Sequence, residues 1–391
     1  MKINIKDTLQ NNIRQYGLFI AFFAIIVVFQ FWTKGILLKP QNVTNLIQQN
    51  SYILILAIGM LLTIISGGHI DLSVGSVGAF IGSITAKLCI AGDMNPWVAI
   101  AIGLLAGIAI GALSGYFIAY QNIPSFIVTL AGMLVYRGLA LATLAGRTLA
   151  PFPEEYQIIS TGFLPDIFNY PGLHLTSLLI GVLLCPIIIF FQIRERMKKR
   201  KHEAKIIPLP LFVMKQIFLS GISILFCYWL ALYRGIPSIL VLLAVIFLIY
   251  NFFTNQTVYG RHLLAMGGNR KAAELSGIKT RQLLFFAFVN LAFLTAVSGI
   301  VFAGRLNAAT PKAGHGWELD AIAACYIGGA SSSGGYGTVG GAVIGGLIMG
   351  VLNNGMSIMG INVDWQQIIK GIVLLMAVMF DVYSKSKQKI S

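Results

Sequence analysis

Apolar stretches long enough to cross a membrane recur along the whole 391-residue chain. A transmembrane helix needs about 20 consecutive, mostly apolar residues. Only 10% of the residues are charged, whereas a soluble domain carries about 25%, so the charges cannot cover a soluble globule of this size. The sequence therefore predicts an all-α fold, a polytopic helical membrane protein with about 10–12 transmembrane segments that include short or broken helices. We expect residues 1–391 to form a single transmembrane domain.

The predicted segments place both chain termini on the same side of the membrane. The first one follows a basic start but precedes no small-residue cleavage site, so we expect an uncleaved span rather than a signal peptide. The segments are Gly17–Trp32, Ser51–Ser66, Leu72–Ala91, Trp97–Tyr120, Ser125–Ala145, Thr176–Ile193, Leu211–Leu232, Pro237–Phe253, Leu283–Ala303, Leu319–Ala330, Val339–Ile358 and Trp365–Tyr383.

The basic residues are concentrated in the loops on one predicted side. The net charge of +15 comes mainly from clusters within residues 2–14, 194–215, 261–281 and 385–389. Several acidic residues fall in the other loops, which is the pattern of a membrane protein whose basic loops are cytoplasmic. They are Asp93, Glu154, Glu155, Asp166, Glu318 and Asp364. This distribution favours a membrane over nucleic acid as the partner. It predicts cytoplasmic termini and a basic cytoplasmic loop over residues 194–210.

Two stretches interrupt the apolar pattern at membrane depth. Ser66–Ser76 reads SGGHIDLSVGS, and Leu319–Ala330 is too short for a full span and runs into GGASSSGGYGTVGG. Non-helical backbone is tolerated there only inside protein or beside a water-filled cavity. Both stretches lead into small-residue helices, which indicates either a weak internal repeat or a shared glycine bias. Broken segments in two places favour a translocation path over a simple anchor.

Small and ionisable residues inside the spans need partners. Gly103, Gly107, Gly111 and Gly115 share one helical face and predict close helix packing, either within a subunit or between two subunits. Asp71 precedes a helix that it can cap, or it lines a pathway. His69 either faces the same cavity or lies at the membrane interface. Arg137 lies deep in its segment and must find a partner or water. We expect Lys370 to reach an interface with its long side chain.

The stretch Gly260–Gln282 is a basic, polar island between apolar segments, and its middle predicts a short helix. Asn269 can cap the start of a helix over Arg270–Ser276, and Gly277 suits the position after its end. A helix this short is marginal alone, so other loops or a docked partner must hold it. Both an ordinary cytoplasmic loop and a docking element fit these residues.

Motifs for catalysis are missing from the sequence. No GxxxxGK[ST] phosphate loop occurs, so the chain is not expected to hydrolyse ATP. The letters GYGTVG at Gly335–Gly340 follow no predicted strand and do not indicate a dinucleotide site. No nucleophile, base or metal ligands converge. We therefore predict that the chain is not an enzyme and holds no cofactor.

Five motifs carry a family resemblance that covers nearly the whole chain. The chain resembles the permease subunit of ribose/xylose-type ABC sugar importers, with a type II ABC importer-like fold, and has features of the xylose and multiple-monosaccharide permeases. The motifs are GHIDLSVGS (Gly68–Ser76), IPSFIVTLAGMLVYRG (Ile123–Gly138), GRHLLAMGGNRKAAELSGIKT (Gly260–Thr280), ELDAIAACYIGGASSSGGYG (Glu318–Gly337) and NNGMSIMGI (Asn353–Ile361).

This resemblance implies several partners in a bacterial inner membrane. Two copies would form a homodimer surrounded by lipid. A cytoplasmic ATPase with two fused nucleotide-binding halves would hold ATP and Mg²⁺, and an extracytoplasmic sugar-binding protein would dock on residues 146–174 and 305–318. The cargo would be a monosaccharide of the xylose, arabinose, glucose or galactose kind. The alternative is a secondary sugar or ion transporter that works without an ATPase.

The resemblance also gives Gly260–Gln282 a role as the segment that couples the ATPase to the membrane helices. Ala272 and Ala273 would keep the contact face small, Gly268 and Gly277 would set the bends, and Glu274 or Arg270 would make the polar contact, after Asn269 as cap. The candidates for the translocation path are Asp71, Ser73, Asn353 and Asn354.

Overall fold

Fifteen α-helices account for most of the described residues, and no β-sheet forms among them. The structure is a computed structural model that describes residues 13–168, 170–201 and 208–388. Lys2, Lys6, residues 202–207 of the basic loop and Lys389 lie outside this part of the chain. The helices are α1 (Ile13–Trp32), α2 (Pro40–Ile65), α3 (Val74–Ala86), α4 (Pro96–Ala119), α5 (Ser125–Thr143), α6 (Glu154–Thr161), α7 (Leu175–Lys201), α8 (Leu209–Ala231), α9 (Ser238–Gln256), α10 (Val258–Gly268), α11 (Arg270–Leu275), α12 (Thr280–Leu306), α13 (Trp317–Ile327), α14 (Val339–Ile358) and α15 (Val363–Gln388).

The prediction of a polytopic helical membrane protein is confirmed. Within the described residues, 9 helices are long and apolar enough to span a membrane. A π-helical turn over Lys87–Ala91 lengthens α3, which gives it the 18 residues of a span. Helix α13 has only 11 residues, as the short apolar segment before the glycine-rich stretch predicted.

One predicted boundary was wrong. Helix α2 begins at Pro40 rather than Ser51, because its polar first turns find hydrogen-bond partners inside the protein. Asn42, for example, bonds to Asn354. The predicted segment Thr176–Ile193 agrees with the span over Leu175–Arg194, and helix α7 continues beyond this span to Lys201.

The ends of the helices alternate between two sides as the segment order predicted. At one end, the last residue of α2 lies against the residues after α13, since the Gly335 N–H donates to the Ile65 carbonyl over 2.9 Å. At the other end, the Trp229 side chain near the end of α8 donates to the Leu38 carbonyl just before α2 over 2.7 Å. Helix α13 and the irregular residues that follow it together connect the two sides.

Helix α12 is the centre of the packing and lies along α4, α2 and α3. A Cβ on Gly107 would lie 2.5 Å from the Ala296 Cβ, and one on Gly111 would lie 2.6 Å from the Ala292 Cβ. Side chains there would push the two helices apart. The glycine face of α4 therefore packs within one subunit, which decides between the two alternatives that the sequence left open.

Helices α7 and α8 form a peripheral hairpin that packs mainly on itself. Only 6% of the α8 span and 22% of the α7 span are buried. Apolar side chains exposed in this way suit a lipid environment. The hairpin therefore adds outer surface to the domain and contributes little to its core.

Candidate coupling site and translocation path

The short helix α11 is closed at both ends by the residues that the sequence identified. The Asn269 side chain accepts a hydrogen bond from the Ala272 N–H over 3.0 Å. Gly277 follows the helix with φ of +82°. The N–H groups of Gly277 and Ile278 donate to the carbonyls of Glu274 and Ala273, both over 3.0 Å, which is the Schellman pattern. The predicted cap and stop are confirmed.

One of the two alanines of α11 departs from the expectation, because Ala272 is exposed but Ala273 is buried. Ala273 is only 4% exposed and packs in a cluster with Met266, Leu284 and Phe288. It therefore holds α11 against α10 and α12 and does not lie on the outer face. Leu275 is 90% exposed. It is a single exposed apolar side chain on the outer face, beside exposed basic residues, and the sequence analysis did not single it out.

Glu274 connects α11 to the start of α12. Its Oε1 accepts from the Thr280 hydroxyl over 2.6 Å and from Arg270 Nε over 3.1 Å. These two contacts, the Thr280 hydroxyl first, hold the pKa of Glu274 below its usual value. The carboxylate thus joins two helices within one segment.

The bend before α11 lies at Asn269, which has an extended backbone with φ of −156°. Gly268 is the last residue of α10 and a Cβ there would meet nothing within 4 Å. The expectation that Gly268 sets a bend was therefore wrong. The close approach is made by its neighbour Gly267, where a Cβ would lie 1.8 Å from the Ile65 carbonyl oxygen.

This approach belongs to a larger contact that we call the glycine junction, and it joins three segments. A Cβ on Gly335 would lie 2.9 Å from the Gly268 Cα, and one on Gly334 would lie 2.7 Å from the Gly67 Cα. At these distances Gly267, Gly334 and Gly335 leave no room for a side chain, whereas Gly268 takes part through its backbone only. The junction consists of Ile65, Gly67, Gly68, Gly267, Gly268, Gly334 and Gly335. It brings both interrupted stretches together against the end of α10.

Asp71 and Ser73 lie in the segment between the glycine junction and α3. Asp71 is buried, and its Oδ1 accepts from the Ser73 N–H over 2.7 Å and from the Ser73 hydroxyl over 2.6 Å. These bonds form a local turn before α3, whose N-cap residue is Ser73 and whose first turn has no side-chain cap. The prediction that Asp71 caps the helix was therefore wrong. A small cavity beside the pair is also lined by Ser114 and Thr295, so the carboxylate also borders internal space.

His69 is placed apart from the expected cavity residues. Its Nδ1 lies 3.3 Å from the Ser125 hydroxyl at the start of α5, and its ring lies 6.3 Å from that of Phe288. The histidine therefore packs between α5 and α12.

Asn353 and Asn354 lie in α14 and have other partners, so the four path candidates do not form one cluster. Asn354 Oδ1 accepts from Asn42 Nδ2 over 2.8 Å, and Asn354 Nδ2 donates to Gln49 Oε1 over 3.4 Å. These amides tie α14 to the first turns of α2. Asn353 instead hydrogen-bonds the Asp320 carboxylate on α13.

Two charged side chains inside the spans have partners that the sequence left open or misjudged. Lys370 does not extend to an interface, because its Nζ lies 3.1 Å from Asp320 Oδ2. Sequence reasoning missed Asp320, although opposite charges in two apolar helices were a signal for pairing. Arg137 donates to the carbonyls of Pro311 and Ala313, which supplies the partner that its position required.

A family model described as "Branched-chain amino acid transport system / permease component" matches residues 42–378. This match includes every helix from α3 to α14, the glycine junction and all the coupling and path candidates. The chain belongs to this permease family.

Individual relatives of this permease are sugar permeases by name. The xylose transport system permease protein XylH of Escherichia coli K12 is 37% identical over 96% of this chain and 93% of its own length. XylH of Haemophilus influenzae is also 37% identical, over 96% of this chain and 98% of its own length. The ribose import permease protein RbsC of Escherichia coli K12 is 32% identical over 87% of this chain and 85% of its own length. No solved structure gives a significant match. The resemblance to ribose/xylose-type permeases is therefore confirmed.

Proposed function

We propose that this permease is the membrane-spanning subunit of an ABC importer that carries a monosaccharide into the bacterial cytoplasm. The observation that carries the proposal is the structure of the coupling segment Gly260–Gln282. Its outer face is exposed and can receive a partner. Its inner side packs against both interrupted stretches. Energy comes from ATP hydrolysis on a separate subunit, because this chain has no phosphate loop.

The structure supports a mechanical role for α11. Its inner residue Ala273 is packed in a core cluster, and Glu274 ties it to Thr280. A force on the exposed Leu275 and the neighbouring basic residues is passed to α10 and α12 together. Gly267 then transmits it to the end of α2 and to the loop before α14, because close-packed backbones move as a unit.

The expected assembly follows from this role. Two copies of the permease, a cytoplasmic ATPase with fused nucleotide-binding halves carrying ATP and Mg²⁺, and an extracytoplasmic sugar-binding protein form the importer. The permease lies in the bacterial inner membrane, and its coupling segment and both termini face the cytoplasm. Xylose is the first candidate substrate, followed by ribose and then by arabinose, glucose and galactose.

The docking site for the binding protein is expected on the opposite side, at residues 146–174 and 305–318. These loops are tied together by the paired backbones of Leu149 and Ala309 and by the Phe152 N–H, which donates to Asn307 Oδ1 over 2.8 Å. Deleting α6, which lies in the first loop, should abolish delivery of sugar. Unchanged uptake after this deletion would exclude the loop as the docking site.

Reconstitution of the complex tests the proposal directly. Proteoliposomes would contain the permease with its ATPase, with ATP on the ATPase side and the loaded binding protein on the other. We expect labelled xylose or ribose to accumulate only when ATP and the ATPase are both present. Labelled leucine, tested because the family description names amino acids, should not accumulate. Uptake that persists without the ATPase and collapses with an ionophore would instead identify a secondary transporter.

A further inference from the structure

The peripheral hairpin of α7 and α8 is held in one register by contacts between its two helices. The Gln216 side chain donates to Gln192 Oε1 over 2.7 Å, and the Arg196 guanidinium lies 4.6 Å from the centroid of the Phe212 ring. Four residues forward along α7 thus correspond to four residues back along α8, as in any antiparallel pair. This register places residues 194–199 of α7 level with residues 209–214 of α8.

The end of α7 carries a dense positive charge. We call residues 194–201 the basic end of the hairpin, and they contain six Lys or Arg and one Glu. Arg194 and Arg200 are exposed. The apolar span ends at Arg194, and the helix then continues for about 10 Å at roughly 1.5 Å per residue. This length is close to the thickness of the headgroup layer on one face of a bilayer, which is roughly 5–8 Å.

Apolar side chains on α8 indicate that the basic end lies at the membrane surface rather than in water. Leu209, Leu211 and Met214 are level with it and are 63%, 50% and 65% exposed. Exposure of three such side chains to water is unfavourable, whereas the boundary of a bilayer accepts them. Arginine suits the same depth, because its apolar stem lies along hydrocarbon while its guanidinium reaches the polar layer.

The hairpin is fastened to the rest of the domain near its opposite end. There the Trp229 side chain donates to the Leu38 carbonyl over 2.7 Å, and the Ser177 hydroxyl accepts from the Ile236 N–H over 3.0 Å. The two contacts near the basic end, described above, stay within the hairpin. The basic end therefore lies at the periphery of the domain, where lipid headgroups are its neighbours.

We propose that the basic end binds the phosphate groups of anionic phospholipids and so fixes the depth of the hairpin in the membrane. Positive charge at this depth attracts anionic headgroups, and a guanidinium can hold two phosphate oxygens at once. A docked protein is the less favoured partner, because the exposed apolar side chains beside the charges need a bilayer. The inference goes beyond the proposed function and holds whatever the permease carries.

The test measures which lipids surround the basic end in the full chain. Met197 is 60% exposed, and Met197→Cys can carry a thiol-linked fluorophore, since the four native cysteines are buried. The protein is reconstituted in phosphatidylcholine with a small fraction of nitroxide-labelled phosphatidylglycerol or, separately, of nitroxide-labelled phosphatidylcholine. We expect labelled phosphatidylglycerol to quench the fluorophore at least about ten-fold more efficiently, because several basic residues act together. High salt should reduce this preference.

Val98→Cys is the matched control position. Val98 is 49% exposed at the start of α4, and the nearest charged residue in the sequence is Asp93. The two labelled lipids should quench a fluorophore at this position equally. A phosphatidylglycerol preference as large as that at Met197 would overturn the proposal, because the whole protein rather than the basic end would then attract the lipid.

Three arginines are then replaced together in the Met197→Cys background. Arg194→Gln with Arg196→Gln and Arg200→Gln should lower the phosphatidylglycerol preference at least about five-fold. The same three positions changed to Lys keep the charge and should retain the preference within about two-fold. An unchanged preference in the Gln variant would refute the lipid site. Loss of the preference when the proposed ATPase subunit is added would also refute it, since the basic end would then be a protein contact.

Discussion

Gly267→Ala tests the glycine junction with the smallest possible change. The added Cβ would lie 1.8 Å from the Ile65 carbonyl oxygen and 2.5 Å from the Gly335 nitrogen. Both are backbone atoms, and real Cβ contacts are not shorter than 3.0 Å. The ends of α2 and α10 must therefore separate by about 1.2 Å, the difference between 1.8 and 3.0 Å.

This separation also breaks the hydrogen bond from the Gly335 N–H to Ile65, which is 2.9 Å long. Overpacking costs about 1–3 kcal/mol, and the lost hydrogen bond adds about 0.5–1.5 kcal/mol. A penalty of roughly 2–4 kcal/mol shifts the equilibrium between the closed and the separated junction toward the separated form by a factor of ten or more.

The assay compares ATP hydrolysis with sugar uptake in the reconstituted complex. We expect Gly267→Ala to reduce uptake at least about ten-fold while much of the ATP hydrolysis remains, because force no longer reaches α2 and the loop before α14. Gly268→Ala is the matched control, since its Cβ meets nothing within 4 Å. Equal uptake and equal melting temperatures for the two variants would refute the reasoning.

Three more predictions concern local contacts. Asn269→Ala should destabilise α11 by about 1 kcal/mol and speed hydrogen exchange at the Ala272 N–H, whereas Asn269→Asp should keep this exchange slow. Equal exchange rates in the two variants would contradict the role of Asn269 as the helix cap. Gly107→Leu should prevent α4 from packing on α12 and lower the melting temperature by several degrees, and Gly138→Leu, where a Cβ meets nothing within 4 Å, should not. The pKa of Glu274 is lowered from 4.5 by Thr280 and Arg270, so its stabilisation is present above pH 4.5 and is lost as the pH falls through the folded-state pKa. At neutral pH, α11 should therefore be better protected from hydrogen exchange in the wild type than in Glu274→Gln, and this difference should disappear in acid. A difference that stays constant with pH would exclude the carboxylate as the cause.

Local chemistry made α11 predictable from the sequence. A cap needs a side chain three residues before its partner, and a left-handed stop needs a glycine, so Asn269 and Gly277 could be read from spacing alone. The apolar spans were equally clear, since bilayer thickness fixes their length. The distribution of basic residues then predicted that successive helix ends lie on alternating sides of the membrane.

Contacts between distant segments could not be read in this way. Gly267 and Gly268 are adjacent glycines, and only the position of Ile65 shows which one is crowded. Ala273 was assigned to the outer face because a short helix alone does not say which side meets the core. Asp320 and Lys370 are 50 positions apart, and neither spacing nor periodicity records that they meet.

The Arg137 contact has a consequence for the rate at which a delivery protein is captured. Its guanidinium holds the carbonyls of Pro311 and Ala313, and the same loop is paired with Leu149 on its other side. At this proposed docking site, an arriving binding protein would meet a surface that is already ordered. Little conformational entropy remains to be lost on landing, so most collisions in the correct orientation are expected to become productive encounters without waiting for a loop to fold.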